Sequence, residues 1–171
     1  MVIAADAAMR EELLALLQGG NAHFDFEEVL ADLPAESINA KAPNTPYSLW
    51  HFVEHLRIAQ WDILEFIRNP AHRSPEYPAG YRPPPGRTTD EVGWRASCQS
   101  FLADLGTLKD MVRDEKTDLL ARLPHAPGYS IFREVLLAAD HNAYHIGEIA
   151  ILRQVMGLWP AHNLYLTGSA D

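Results

Sequence analysis

The segment from Ser130 to Gly157 reads as one helix, closed by a glycine of the kind that sits just past a helix end. Its stretch AADHNAYHIGEIAILRQVMG is apolar. Yet it carries His141 and His145 four residues apart, and Glu148 three residues later. A helix turns about 100° per residue, so the two imidazoles lie roughly 40° apart on one face. Glu134 and Glu148 fall one heptad either side of His141 and share that face with Leu137, Ala138, Leu152 and Val155. Burying two imidazoles without partners costs about a few kcal/mol each. A fold that packs this face must therefore satisfy them. A metal ion does so directly, because neutral imidazoles at i and i+4 can bind one ion from one helix. The other reading is an exposed polar helix face, and a lone HxxxH pair does not choose between the two.

A second histidine pair changes the balance. In NTPYSLWHFVEHLRIAQWDILEFIRNP, His51 and His55 are again four residues apart. Thr45 suits an N-cap and Pro46 the first helical position, and the helix ends near Arg68 ahead of Pro70. His55 shares its side with Phe52, Ala59 and Phe66, which directs it toward the core, and Asp62 follows two turns on. His51 is rotated away from the arc of Leu49, Val53, Leu56, Ile63 and Ile67, which makes it peripheral, at the rim of the site or just outside the ligands. One histidine from this helix and two from the last would make a three-histidine site. Three protein ligands with positions left for water is the arrangement of a reactive ion, not of a closed structural one.

The rest of the chain is read as helices and loops. A first helix covers about Asp6 to Gln18 and stops at Gly19-Gly20. A shorter one, FDFEEVLADL, runs to Leu33 before Pro34. Thr88 and Glu91 match a capping box at the start of a fourth long helix. The segments NPAHRSPEYPAGYRPPPGR and LPHAPGYS are Pro- and Gly-rich loops, the first either functional or floppy. Long amphipathic helices without strand signals predict an all-α chain: a single domain, 1–171, built as an up-and-down four-helix bundle with additional short N-terminal helical segments.

Charge narrows the function. Lys and Arg total 14 against 23 Asp and Glu, a net charge of −9. A nucleic-acid backbone needs a basic footprint, so nucleic acid is excluded as a partner, and an anionic membrane surface is disfavoured on the same ground. The apolar segments are too short to span a bilayer. The first residues lack a basic start and a cleavage pattern. The single cysteine, Cys98, rules out an internal disulfide framework and fits a reducing compartment, so a cytoplasmic location is expected. Nothing beside Cys98 in sequence would lower its pKa, so it is read as a structural thiol.

The segments PYSLWHFVEHLRIAQWDILEF and REVLLAADHNAYHIGEIAILRQVMG, with DHNAYHIGE at the centre of the second, resemble the DinB-like, or YfiT-like, superfamily of metal-binding four-helix bundles. The resemblance covers most of the chain, from GGNAHFDFEEVLADLP to ILRQVMGLW. It implies a metal triad of one histidine from the second long helix and the HxxxH pair of the last, here His55, His141 and His145. It implies a divalent ion, zinc or nickel, and in some relatives a low-molecular-weight thiol that is transferred or that activates a substrate for isomerisation. Others are grouped with hydrolases. The expected function is therefore a metal-dependent enzyme acting on a small molecule, by thiol transfer or hydrolysis. The alternatives are a non-catalytic metal-binding stress protein and a purely structural helical dimer.

Several other residues carry two readings each. Glu148 is either a catalytic or ligand-orienting carboxylate or a solvated helix-face charge. Asn142 and Gly147 suit polar contacts and close packing between helices. His125 either lines the mouth of the site or sits on a surface loop, the reading favoured here. Tyr77 and Tyr81 form a wall or lid over the pocket, or only a loop. Trp50 and Trp61 lie on a face that diverges from His55, either under another helix or as an exposed stripe for a homodimer. His23, His72 and His162 have no spacing that recruits them.

Overall fold

The structure, a computed structural model, describes residues 2–159, with side chains from residue 5 onward. His162 lies outside the described residues. Five helices follow in order: α1 (Val2–Gln18), α2 (Phe26–Leu30), α3 (Leu49–Arg68), α4 (Glu91–Arg113) and α5 (Ile131–Val155). The fold is mostly helical. The LPHAPGYS loop forms a short antiparallel hairpin, β1 (Arg122–Leu123) with β2 (Ala126–Ser130), where no strand was expected. Strands this short carry too few residues for an alternating pattern to be visible in the sequence.

Helix α1 closes where Gly19 and Gly20 adopt φ of 74° and 77°, a left-handed conformation open to glycine at little cost. Arg10 on α1 donates to the carbonyls of Val112, Asp114 and Thr117, and so caps the C-terminal end of α4. Helix α2 is shorter than the sequence suggested. Asp25 and Glu28 make its capping box, and Arg153 of α5, fully buried, donates to the carbonyls of Val29 and Ala31 at its far end.

The predicted start of α3 is displaced. Its N-cap is Ser48, not Thr45, and Thr45 instead donates to the Ala42 carbonyl. The fourth helix is capped by Asp90, whose carboxylate accepts from Gly93 N at 2.8 Å, and not by Thr88. A carboxylate at the cap also sits favourably at the positive end of the helix dipole.

Helix α3 packs against α4 and α5, and α1 packs against the same two helices. Leu49, Val53, Leu56 and Leu64 of α3, Phe101 and Leu108 of α4, and Val135 and Ile149 of α5 form the centre of the core. Each such side chain contributes about 1.5–3 kcal/mol through burial. One polar chain crosses this core: Asn142 donates to Gln60 at 2.8 Å, and Gln60 donates to the Phe101 carbonyl at 2.7 Å. Asn142 therefore makes the expected interhelical contact. Gly147 does not serve close packing, because a Cβ there would meet nothing within 4 Å.

The proline-rich loop is tied down along its length. His72 and the Tyr81 hydroxyl both bond the Asp62 carboxylate at 2.6 Å, Lys41 donates to the Pro85 carbonyl, and Asn39 pairs with both backbone groups of Thr89. No helix among the described residues is long and apolar enough to cross a membrane.

Candidate metal centre

Helix α3 supplies His55 and helix α5 supplies His141 and His145. Their Nε2 atoms converge: His55 lies 3.0 Å from His145 and 3.2 Å from His141. Ligand atoms on a tetrahedral ion, at about 2.0–2.1 Å from it, stand about 3.3 Å apart. The three histidines are a group that could hold a metal ion, with one ligand atom from each and all of these within 4.8 Å of one another.

The surroundings fix which nitrogen faces inward. His55 Nδ1–H donates to the Tyr81 carbonyl at 2.8 Å. His145 Nδ1–H donates to Glu148 Oε2 at 2.6 Å. A neutral imidazole carries one N–H, so both Nε2 atoms hold bare lone pairs directed at one another. Bare lone pairs 3.0 Å apart repel unless a cation lies between them. A proton is a poor candidate at neutral pH. Burial and the neighbouring imidazoles push His141 down to about 3, burial pushes His145 down to about 4, and burial lowers His55 as well. A metal ion on neutral imidazoles fits the donor set. His141 differs from the other two in one respect: its Nδ1 is buried without a hydrogen-bond partner among the described residues.

Above the histidines is an open pocket of about 410 Å³, lined by Tyr47, Tyr77, Pro78, Tyr81 and Arg82 with the three imidazoles at its base. Tyr77 and Tyr81 thus line the pocket, one of the two readings open for this loop. Burial and the Asp62 carboxylate raise the Tyr81 phenol to about 12, which keeps it a hydrogen-bond donor.

Other sequence candidates fall elsewhere. His51 is not at the rim: it is fully buried, and its Nδ1 accepts from Ser48 while its Nε2–H donates to the Pro84 carbonyl at 3.0 Å. It ties the start of α3 to the proline-rich loop. Glu134 is buried against Arg133 and stands outside the histidine group. His125 bonds the Phe66 carbonyl at 2.7 Å and does not line the pocket. Trp50 is buried, its Nε1–H donating to Ser97 of α4 at 3.3 Å, and Trp61 packs edge-on against His72. The two tryptophans are therefore not an exposed stripe. Burial pushes the Cys98 thiol up to about 11, which makes it a poor nucleophile.

Sequence reasoning missed Arg82 and Tyr47, since neither lies on a histidine helix, and it missed His72 as the partner of Asp62. For Arg82 the signal was its place in EYPAGYRPPP, between Tyr81 and three prolines; Tyr47 and His72 lie outside that stretch. Comparison with protein-family models, curated proteins and solved structures found no match to this chain.

Proposed function

We propose that the chain is a metal-dependent enzyme of the DinB-like kind, an up-and-down bundle of α1, α3, α4 and α5 that holds one divalent ion on His55, His141 and His145. The ring of helix contacts, α3 and α1 each against α4 and α5, supports the bundle. The observation that carries the metal is the pair of bare Nε2 atoms 3.0 Å apart, each set by its own Nδ1 hydrogen bond. Zinc or nickel suits three imidazoles. Such an ion lowers the pKa of a thiol or water that reaches it, or polarises an oxygen of the substrate. The protein's own groups prepare the site. Tyr81 and Glu148 hold two imidazoles in the ligating tautomer, and Tyr47, Tyr77 and Tyr81 line the space that a small molecule would occupy. Thiol transfer and hydrolysis are both consistent with an ion bound by three protein ligands and open to a pocket.

A homodimer, if formed, uses a face other than the Trp50–Trp61 stripe, because Trp50 is buried against α4. The test of the metal reading is elemental analysis of purified, untagged protein. About one equivalent of a divalent ion per chain, lost in His55→Ala, is the expected result. A metal-free chain that takes up no zinc, nickel or cobalt on titration would falsify it.

A further inference from the structure

We infer that the pocket over the three histidines is a two-point site for a small carboxylate, with Arg82 as its counter-ion and the metal position as its second anchor. This rests on the metal reading above.

Arg82 is unlike the other deeply placed arginines. Arg10 and Arg153 each donate to three backbone carbonyls. Arg82 makes no ion pair among the described residues, and its Nε is buried without a hydrogen-bond partner. What holds it is aromatic: the guanidinium lies 4.4 Å from the Tyr47 ring centroid and 5.0 Å from that of Phe52. Stacking of this kind fixes the plane of the guanidinium and leaves its N–H edge available.

Two carboxylates that border the pocket are engaged with other groups. Glu148 bonds His145, and Asp62 bonds both His72 and Tyr81. The pocket therefore combines three neutral imidazoles, a metal position and an uncompensated cation, in a chain whose net charge is −9. A volume of about 410 Å³ lies within the usual range for small-molecule sites, roughly 300–1,000 Å³. One planar guanidinium matches one carboxylate in a two-bond fork. The ligand class is thus a small acid that carries a second, metal-binding donor.

The experiment uses the cobalt(II)-loaded protein, in which a bound thiolate gives a charge-transfer absorption. It is titrated with mercaptoacetate and 3-mercaptopropionate and with their neutral amides, and each affinity is corrected for the thiol's own ionisation. The thiol proton goes to solvent on binding. At least one acid is expected to bind about 10-fold tighter than its amide. In Arg82→Met that preference falls to about twofold or less, and in Arg82→Lys part of it remains. Equal binding of acid and amide by the wild-type protein overturns the inference and leaves the metal reading intact, a comparison that needs no variant to fold. A preference that survives in folded Arg82→Met overturns it as well. A protein that takes up no cobalt overturns both.

Discussion

Glu148 Oε2 accepts the Nδ1–H of His145 at 2.6 Å, and this one hydrogen bond determines which nitrogen of His145 faces the pocket. Its partner atom on the ring, Nε2, stands 3.0 Å from His55 Nε2. A carboxylate in this position holds the tautomer and raises the basicity of the ligand. Glu148→Ala should therefore lower metal affinity by about 10–100-fold, while Glu148→Gln, which keeps an acceptor oxygen, should lose less. Competition against a chelator of known affinity measures both. Unchanged affinity in the alanine variant would mean that Glu148 does not act through His145.

His55 and His51 separate cleanly, although they stand one turn apart on α3. His55→Ala removes a proposed ligand, and its metal content after dialysis should fall to near zero. His51→Ala should keep its metal but lose stability. The change leaves the Ser48 cap and the Pro84 carbonyl without their partner, at about 1–3 kcal/mol. Metal analysis and urea unfolding of both variants check the pair of outcomes. Loss of metal from the His51 variant alone would reassign the third ligand.

The contrast between these two histidines shows what the sequence could reveal. The helical period places His55, His141 and His145 on inward-facing sides, and those three imidazoles do meet. The same period gave His51 a peripheral place, because it describes one helix and not what covers it. The proline-rich loop folds over that side of α3 and buries His51 completely. Trp50 was ambiguous for the same reason, since α4 supplies its cover through Ser97. Caps were misplaced by a few residues because Thr45, Ser48, Thr88 and Asp90 all suit an N-cap, and only tertiary context selects among them. Arg82 was invisible because a loop, not a periodic element, carries it to the histidines.

The loop also reaches the histidine cluster through its backbone. The Tyr81 carbonyl accepts from His55 Nδ1, and the Tyr81 hydroxyl donates to Asp62, seven residues further along the same helix as His55. Tyr81→Phe removes only the hydroxyl. It should cost about 1.5–3 kcal/mol of stability, the range for a hydrogen bond to a charged group. It should weaken metal binding less than about 10-fold, because the carbonyl remains. Chemical denaturation and chelator competition on one preparation separate the two effects. A loss of metal as complete as in His55→Ala would show that the phenol, not the carbonyl, supports the site.

The pH response follows from the depressed histidines. In the unfolded chain each imidazole protonates near 6.5. In the folded, metal-free protein His145 protonates only at about 4 and His141 at about 3, chiefly because burial disfavours the charged ring. Between these values the unfolded state binds more protons than the folded one, so stability falls as the pH falls. This contribution is fully present above about pH 6.5 and is progressively lost toward pH 4 and below. Bound metal opposes the loss, because an ion that prefers the folded state adds RT ln(1 + [L]/Kd) until protons displace it. Chelator-treated protein should therefore melt at a lower temperature at pH 5 than at pH 7, with a smaller difference when metal is present in excess. Replacing both His141 and His145 with Gln should flatten the metal-free profile over that interval. An unchanged slope in the double variant would assign the acid sensitivity to groups outside the histidine cluster.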